Sequence, residues 1–441
     1  MKKLNTTPIS GMQELLPEKQ IIFDDIKNKI EETYKSHGFQ KIETPTIDRS
    51  EILFAKAGGD TEKQIYKVVK TAETAEDADQ ALRFDHTVPL ARYVVEHESS
   101  LNFPFRVTQI GKNFRGERAQ KGRFREFYQL DIDVVGRETL PIAYDAEVIA
   151  TLYDALKSFL KPKMLIRVSN RKILSGLIEA QNLQEKSAQL FSIIDHAEKV
   201  SPEKTAEALD EIGLNQDQKD LMNSFMSIKG PRAEVIEKLA ALNIENETTK
   251  QGIKELDEVL KLLDAQDAEA IGDMLIVRGL DYYTGTVFET FLPDYQKLGS
   301  ICSGGRYENL ARNYTDQNFP GVGGSIGLTR LFSVLDENNL LSNETEDGKP
   351  AVALEKPIDI AIVPISENEN EYSLKLAKLL RTKGFSTDTI LTDKKLGAKL
   401  THAAKIAKFG IVIGENEAKT SELKIKNFET GEEKPLSSLN S

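Results

Sequence analysis

Apolar and polar residues alternate along the chain with two different periods, and each period predicts a different kind of element. Residues 18–37 place apolar side chains three or four positions apart, which predicts an amphipathic helix that ends at Gly38. Residues 39–48 are expected to be extended. From 82 to 136 large apolar residues alternate with polar ones, so long strands are predicted there, with a helix opening at 87–89 between them.

The second half of the chain changes character twice. Helical periodicity fills the stretch from 170 to 268, and strand-like sequence resumes over 273–291. After 357, short apolar runs alternate with helical patterns, which predicts a small α/β domain with a largely parallel sheet. The whole pattern predicts an α+β protein whose antiparallel sheet is flanked by helices. The expected divisions are a core in two parts (1–169 and 271–337), a helical insertion (170–270), a linker (338–357) and the α/β domain (358–441).

Composition indicates a soluble globular protein. The chain has 441 residues, of which 39% are hydrophobic, enough for about two to four domains. The single cysteine, Cys302, excludes an intrachain disulfide and fits a reducing compartment. No apolar run is long enough to span a bilayer, and the first residues lack the apolar core of a secretory signal. We therefore expect a cytoplasmic protein with no membrane attachment.

Charge is spread unevenly, and this affects which nucleic-acid contacts are possible. A net charge of −12 disfavours a general nucleic-acid binder, because such proteins usually carry a basic excess. Residues 358–441, however, hold 13 Lys and Arg against 12 Asp and Glu. Any nucleic acid is expected to bind local basic patches. One candidate is the stretch 394–408, where five lysines and no acid would form a basic helical face, or simply a solvated helix surface.

A basic hairpin is the most informative segment. Residues 112–126, KNFRGERAQKGRFRE, hold six basic residues against two acids and lie between two strand-like runs. Arg115 is expected near the root of this hairpin. Because a guanidinium fork matches phosphate oxygens, arginines on a loop anchored by strands could hold a triphosphate in one bent shape. The alternative is a solvated basic hairpin tip.

A buried arginine is expected in a second segment, VRGLDYYTGTVFE. Arg278 lies there among apolar residues on an expected strand. A buried arginine needs an anionic partner, either a substrate phosphate or a structural pair with Asp281 or Glu289. Tyr282 and Tyr283 would face opposite sides of the strand, so one could pack while the other offers its hydroxyl to a ligand. Core packing of both rings is the alternative.

Two glycine-rich runs are further candidates for ligand contact. They cover 303–307 and 321–330, and glycines on strands permit close approach of a ligand to the backbone. Both lack the Lys-Ser/Thr of a P-loop and the full dinucleotide fingerprint, so neither of those folds is supported. Arg330 would begin a helix directly after the second run.

Polar residues also alternate on two of the expected strands. Asp85 and Thr87 should share one strand face, and so should Asp131 and Asp133. Their carboxylates could receive an ammonium or an imidazole group, or could simply face solvent. The five histidines and the single cysteine show no metal-ligand spacing, so we expect no metal site.

Together these segments resemble the class II aminoacyl-tRNA synthetases, and the histidyl family in particular. FRGERAQKGRFREFYQ is similar to the second signature motif of the class, and GVGGSIGLTRL to the third. VRGLDYYTGTVFE and SGGRY resemble two signatures of the histidyl family, and GFQKIETPTIDRSEIL resembles the first motif, which builds the dimer interface. The resemblance covers essentially the whole chain. It implies a class II antiparallel catalytic sheet, a helical insertion and a C-terminal anticodon-binding α/β domain.

The resemblance also implies a reaction and a role for each matching residue. The reaction would be ATP-dependent ligation of L-histidine to tRNA(His) through a histidyl-adenylate, by a homodimer, with Mg²⁺ accompanying ATP. Arg115 would bind the α-phosphate and Arg330 the γ-phosphate, while Arg278 would stabilise charge on the α-phosphate. The other implied contacts are Glu117 and Arg123 with ATP; Asp85, His86, Thr87, Gln129, Asp133, Arg278, Tyr282 and Tyr283 with histidine; and Arg118 and Gln120 with the acceptor end of the tRNA.

Among the residues expected to bind histidine, the resemblance implies that different residues contact the two ends of the amino acid. Asp85, Thr87 and Gln129 would hold the amino-acid end, and Asp133 and Tyr282, with Tyr283 nearby, would read the imidazole. The sequence departs from the family pattern at His86, where a small or apolar residue is usual and whose role is open, and at Ala119, where proline is common.

Two other functions compete with this one. A non-catalytic, histidine-sensing regulatory paralogue of histidine biosynthesis would keep the fold, but such proteins typically lose the catalytic arginine and the anticodon-binding domain. Arg278 and the 358–441 domain are both present, which favours the enzyme. A general RNA-binding protein is disfavoured by the acidic net charge.

Overall fold

The computed structural model describes residues 3–54, 62–72, 74, 78–118, 122–277, 282–309, 311–341 and 356–437. These residues form two compact units, one of 3–14 with 25–341 and the other of 15–24 with 356–437. Within the described ranges, no helix combines the length and the apolar character that a bilayer span requires.

A nine-stranded mixed sheet forms the centre of the first unit. In spatial order its strands are β1 (Gln40–Lys41), β5 (Phe105–Phe114), β6 (Glu126–Val135), β12 (Gly321–Gly327), β11 (Cys302–Tyr307), β10 (Thr286–Phe291), β7 (Leu165–Asn170), β9 (Ala270–Asp273) and β8 (Lys229–Gly230). Neighbours pair antiparallel except β1 with β5 and β7 with β9. Beside it lies a three-stranded sheet of β2 (Ile47–Arg49), β4 (Gln80–Leu82) and β3 (Lys67–Val68). The expected α+β architecture is confirmed.

Helices pack against this sheet. The helices outside the insertion are α1 (Pro17–Ser36), α2 (Ser50–Phe54), α3 (Thr87–Glu96), α4 (Ala143–Lys157) and α11 (Leu328–Glu337). The predicted amphipathic helix is confirmed as α1, whose Tyr34 is buried and donates its hydroxyl to the Leu130 carbonyl at 3.1 Å. Gly324 faces Leu152 of α4 so closely that an added Cβ would lie 2.6 Å from it. This glycine lets α4 pack directly on the sheet.

The segment between β7 and β9 is helical, as its periodicity predicts. Its α-helices are α5 (Arg171–Ala180), α6 (Ser187–His196), α7 (Pro202–Glu211), α8 (Gln216–Met226), α9 (Arg232–Ala241) and α10 (Glu247–Asp264). Helix α10 begins at an Asn246 cap, whose side chain accepts from the Thr249 amide. Its apolar face, including Leu256 and Leu260, is buried.

The second unit is a three-layer α/β structure. Three parallel strands, β14 (Thr387–Thr389), β13 (Ile358–Pro364) and β15 (Ala407–Ile413), are extended by antiparallel β16 (Lys424–Asn427) and β17 (Glu433–Pro435). Helix α12 (Asn370–Thr382) packs on one face and α13 (Leu396–Ile406) on the other, and α14 (Glu415–Thr420) follows β15. The parallel part is as predicted. The two antiparallel strands are not predicted by the apolar pattern, because they are short and mostly polar.

The long strand expected over 273–291 is wrong in its first part. β9 ends at Asp273 and β10 begins only at Thr286. The Asp273 carboxylate accepts from the Leu275 amide at 3.1 Å, and the Ile276 amide donates to the Asp273 carbonyl at 3.1 Å. An aspartate that bonds its own following backbone favours a turn over a sheet ladder.

Candidate active site

A cavity of about 380 Å³ lies against the nine-stranded sheet. Side chains from widely separated stretches line it, among them Arg115, Glu117, Arg123, Gln129, Glu289 and Arg330. They come from the hairpin between β5 and β6, from β6 and β10, and from the first turn of α11. The basic hairpin and the helix after the glycine-rich strand therefore converge on one cavity.

Arg115 is half-buried at the root of the hairpin. Its guanidinium carbon lies 4.4 Å from the centre of the Phe84 ring and 5.0 Å from that of Phe127, and Nε donates to the Phe84 carbonyl at 3.4 Å. Burial lowers the pKa of this guanidinium, and the nearby charge of Asp85 partly offsets the effect. Aromatic faces hold a guanidinium in place without using its N–H groups. Arg115 can therefore present donors to an anion in the cavity.

Two further arginines share this cavity. Arg123 forms an ion pair with Glu117 at 3.4 Å. Burial lowers the pKa of Arg330, and the positive charge of Arg123 lowers it further, while Glu289 raises it. Like charges held close together raise the electrostatic free energy. An anionic ligand bound between these arginines would remove that cost, so the arrangement favours one.

Asp85 and Thr87 do not lie on a strand, and that prediction was wrong. β4 ends at Leu82, and Thr87 is the first residue of α3. Asp85 Oδ1 accepts from the Val88 amide at 3.0 Å, which satisfies an N–H group at the start of the helix. Burial raises the pKa of Asp85, while this hydrogen bond and the charge of Arg115 lower it. The prediction failed because residues 82–87 run from the last residue of β4 to the first residue of α3.

Asp133 lies at a crowded point of β6. Tyr307 donates its hydroxyl to Asp133 Oδ1 at 3.1 Å. Burial raises the pKa of Asp133 well above its ordinary value, and the negative charge of Asp131 adds to the shift. Across the β6–β12 pair, a Cβ on Gly323 would overlap Asp133 Oδ1. Glycine at this position makes room for the carboxylate.

Tyr282 and Tyr283 lie beside Asp133, but not on a strand. They precede β10, and their rings meet edge to face with centres 5.0 Å apart, so they do not face opposite sides of a strand as predicted. Tyr282 also meets Tyr307 edge to face at 6.1 Å. Its buried hydroxyl makes no hydrogen bond of ordinary geometry among the described residues, although the hydroxyls of Thr87 and Tyr283 lie near it, and burial raises its pKa well above the ordinary value. A buried hydroxyl of this kind suits a ligand that supplies the missing partner.

A hydrogen-bond chain runs from His86 to Asn113 and passes through the cavity wall at Gln129 and Ser325. His86 Nδ1 lies 2.9 Å from Asp131 Oδ2. Ser325 donates to Asp131 Oδ1, Gln129 Nε2 donates to Ser325 Oγ at 2.8 Å, and Asn113 Nδ2 donates to Gln129 Oε1 at 2.7 Å. The His86 side chain, whose role the sequence left open, therefore contacts the Asp131 carboxylate.

The contacts of several site residues could not be found from the sequence, although two of these residues lie in the glycine-rich runs 303–307 and 321–330. Ser325, Asn113 and Tyr307 join the site because the strand register places Ser325 opposite Asp131 and brings the Tyr307 hydroxyl to Asp133. Alternating polarity within one strand is a signal for Asp131 and Asp133, but register between strands has no comparable signal in a single sequence.

Some expected contacts fall outside the described part of the chain. Arg278 and Gln120 lie outside the described residues, and so does Ala119. Arg118 is described and exposed. The roles expected for Arg278, Arg118 and Gln120 stay predictions.

The basic helical face expected over 394–408 is only partly formed. Lys399 is 5% exposed and donates from Nζ to the Pro364 carbonyl at 2.9 Å. Lys408 lies on β15, 3.9 Å from Asp359. Lys405 is exposed on α13. The five lysines do not share one face, because α13 begins only at Leu396 and turns Lys399 toward the sheet.

Comparisons with known proteins point to one family. A family model described as "Histidyl-tRNA synthetase" matches residues 11–331, and one described as "Anticodon binding domain" matches residues 359–439. A histidine–tRNA ligase of Clostridium tetani is 44% identical over 99% of this chain and 98% of its own. The crystal structure of histidyl-tRNA synthetase from Nostoc sp. PCC 7120 matches with a TM-score of 0.87 and 35% identity, covering 99% of this chain and 98% of that one.

A more distant solved structure shares the fold alone. An ATP phosphoribosyltransferase regulatory subunit/histidyl-tRNA synthetase from Bacillus halodurans matches 94% of this chain and 100% of its own, with a TM-score of 0.74 and 22% identity. The family model, by contrast, covers most of the first unit, and the ligase relative covers nearly the whole chain. The chain belongs to the histidyl-tRNA synthetase family.

Proposed function

We propose that this chain ligates L-histidine to tRNA(His) at the expense of ATP, through a histidyl-adenylate. The observation that carries the proposal is the convergence of Arg115, Arg123 and Arg330 on one cavity. A bent triphosphate is an anion that several guanidinium groups can bind from different directions. Relatives that span almost the whole chain are histidine–tRNA ligases.

The first step forms the adenylate. A carboxylate oxygen of histidine attacks the α-phosphorus of ATP, the bond from that phosphorus to the bridging oxygen breaks, and diphosphate leaves. Arg115 would bind the α-phosphate and Arg330 the γ-phosphate, with Arg278 stabilising the charge that develops on the α-phosphate. Glu117 and Arg123 would contact the nucleotide, and Mg²⁺ would enter with it. Because the nucleophile is already ionised, positioning and charge stabilisation suffice, and no general base is needed.

The second step transfers histidine to the tRNA. A hydroxyl of the terminal ribose attacks the carbonyl carbon of the adenylate, and AMP leaves with the bonding electron pair while its phosphate takes up the hydroxyl proton. Arg118 and Gln120 would guide the acceptor end, and the second unit would bind the anticodon. Lys405, exposed on α13, is one candidate for a phosphate contact there.

Selection of histidine would depend on buried polar groups. Asp85, Thr87 and Gln129 would bind the α-ammonium end, and Asp133 with Tyr282 and Tyr283 would bind the imidazole. The buried Tyr282 hydroxyl supports this assignment, since an apolar side chain would leave it unpaired. Tyr307 would hold the Asp133 carboxylate in place.

The regulatory paralogue is not favoured, because the matched relatives are full-length ligases and residues 359–439 match the anticodon-binding family. We propose that the enzyme is a homodimer that works in the cytoplasm. Light scattering should then give about twice the chain mass of 49.3 kDa.

The test is histidine-dependent exchange of diphosphate into ATP, followed by charging of tRNA(His). We expect exchange with histidine and with no other standard amino acid. Arg278→Ala should abolish it, whereas the matched variant Arg381→Ala, on α12 in the second unit, should exchange like the parent. Activity with a different amino acid, or none with histidine, rejects the proposal.

A further inference from the structure

We propose that Asp131 sets the direction of the hydrogen-bond chain from His86 to Asn113, so that Gln129 turns its carbonyl oxygen, and not its amide N–H groups, toward the α-ammonium group of histidine. Asp131 and Ser325 would thereby be positioning residues for the amino-acid substrate. This assignment rests on the proposed function and extends it to residues that do not touch the substrate.

The direction follows from the chemistry of a carboxylate. Asp131 is 5% exposed and is bonded on both sides, to His86 Nδ1 at 2.9 Å and to the Ser325 hydroxyl. A carboxylate accepts hydrogen bonds and has no hydrogen to donate. His86 must therefore carry its hydrogen on Nδ1, and the Ser325 hydrogen is committed to Asp131.

The next bond in the chain is then determined as well. With its hydrogen on Asp131, the Ser325 oxygen can only accept, and the group 2.8 Å away must be the Gln129 nitrogen. At the other end, Gln129 Oε1 accepts from Asn113 Nδ2 at 2.7 Å. This bond is compatible with the orientation that Ser325 requires of the Gln129 amide, which lines the cavity. An amide oxygen has a second lone pair, and that acceptor is what an ammonium group requires.

The arrangement also explains why a carboxylate, and not an amide, occupies this buried position. A buried carboxylate is costly unless strong hydrogen bonds compensate it. Asparagine would have the same shape, but its NH₂ group could donate to Ser325. The Ser325 hydrogen would then be free to point at Gln129, and the Gln129 amide could turn over and present N–H groups to the ammonium. The negative charge of Asp131 excludes this alternative.

The experiment compares Asp131→Asn with the parent protein on three ligands, by titration calorimetry. L-Histidine has both the ammonium and the carboxylate, histidinol keeps only the ammonium, and imidazolepropionate keeps only the carboxylate. We expect Asp131→Asn to weaken histidine and histidinol about 10- to 100-fold, the range for a hydrogen bond to a charged group. Imidazolepropionate should change by less than about threefold. Equal weakening of all three ligands, or no weakening, overturns the assignment.

Ser325→Ala provides a second variant in case Asp131→Asn does not fold. It breaks the chain between Asp131 and Gln129, so histidine and histidinol should again be weakened selectively, with KM for ATP unchanged. The matched control is Ser333→Ala, whose hydroxyl bonds Glu337 on α11 at 3.2 Å and should leave all three affinities unchanged. A parent protein without histidine-dependent exchange would reject the proposed function, whereas an active parent with unselective variants rejects only this inference.

Discussion

Arg115→Ala should lower the rate of adenylate formation far more than it lowers stability. The substitution removes a guanidinium held over two aromatic rings at 4.4 and 5.0 Å, which has donors to offer to the cavity. Loss of one preorganised donor to a developing charge costs about 2.7–4 kcal/mol, so kcat should fall roughly 10²- to 10³-fold. Arg115→Lys keeps the charge but not the flat fork, and should fall about tenfold.

The assay is diphosphate exchange at saturating ATP and histidine, with thermal unfolding of each variant as the control for folding. The alanine variant also leaves the buried Asp85 without its positive neighbour, so the pKa of that carboxyl should rise further. An Arg115→Ala protein that unfolds like the parent and exchanges within about threefold of its rate would refute the role given to this side chain.

Three further predictions concern other parts of the structure. Gly323→Ala should lower the free energy of unfolding by about 1–3 kcal/mol and raise KM for histidine, because the added Cβ displaces Asp133; denaturant titration and exchange kinetics measure both. Burial raises the pKa of Asp133, so the folded protein binds a proton at this carboxyl more tightly than the unfolded chain does. The free energy of unfolding should therefore fall as pH rises from 3.8 toward the raised pKa. Asp133→Asn should remove this part of the pH dependence, and an unchanged pH dependence in the variant would contradict the prediction. In charging assays, Lys405→Ala should raise KM for tRNA(His) and flatten the salt dependence of that KM, because Lys405 is exposed. Lys399→Met should change neither quantity, because Lys399 is buried. A larger effect of Lys399→Met than of Lys405→Ala would contradict this assignment and support the basic helical face predicted over 394–408.

Elements with a strong internal period could be predicted from the sequence. Apolar residues recur at helical spacing in α1 and alternate with polar residues in β6, so periodicity alone predicts a helix and a strand there. The same alternation places Asp131 and Asp133 on one face of β6. The hairpin root at Arg115 follows from the same two strands.

Contacts set by tertiary structure could not be predicted in this way. Asp85 and Tyr282 lie where one element gives way to another, and short alternation there imitates a strand. The pairing of Ser325 with Asp131 depends on strand register, and the burial of Lys399 depends on which side of α13 meets the sheet. In each case the deciding neighbour is distant in the chain, so local pattern carries no information about it.

The most direct test of the account is a crystal structure with a non-hydrolysable histidyl-adenylate analogue, in which a sulfamoyl group replaces the phosphate. We predict guanidinium nitrogens of Arg115 about 3 Å from the sulfamoyl oxygens, the imidazole beside Asp133, and Gln129 Oε1 at the α-ammonium group. An analogue bound away from Arg115, or with its imidazole away from Asp133, would contradict the claim that these distant residues form one active site.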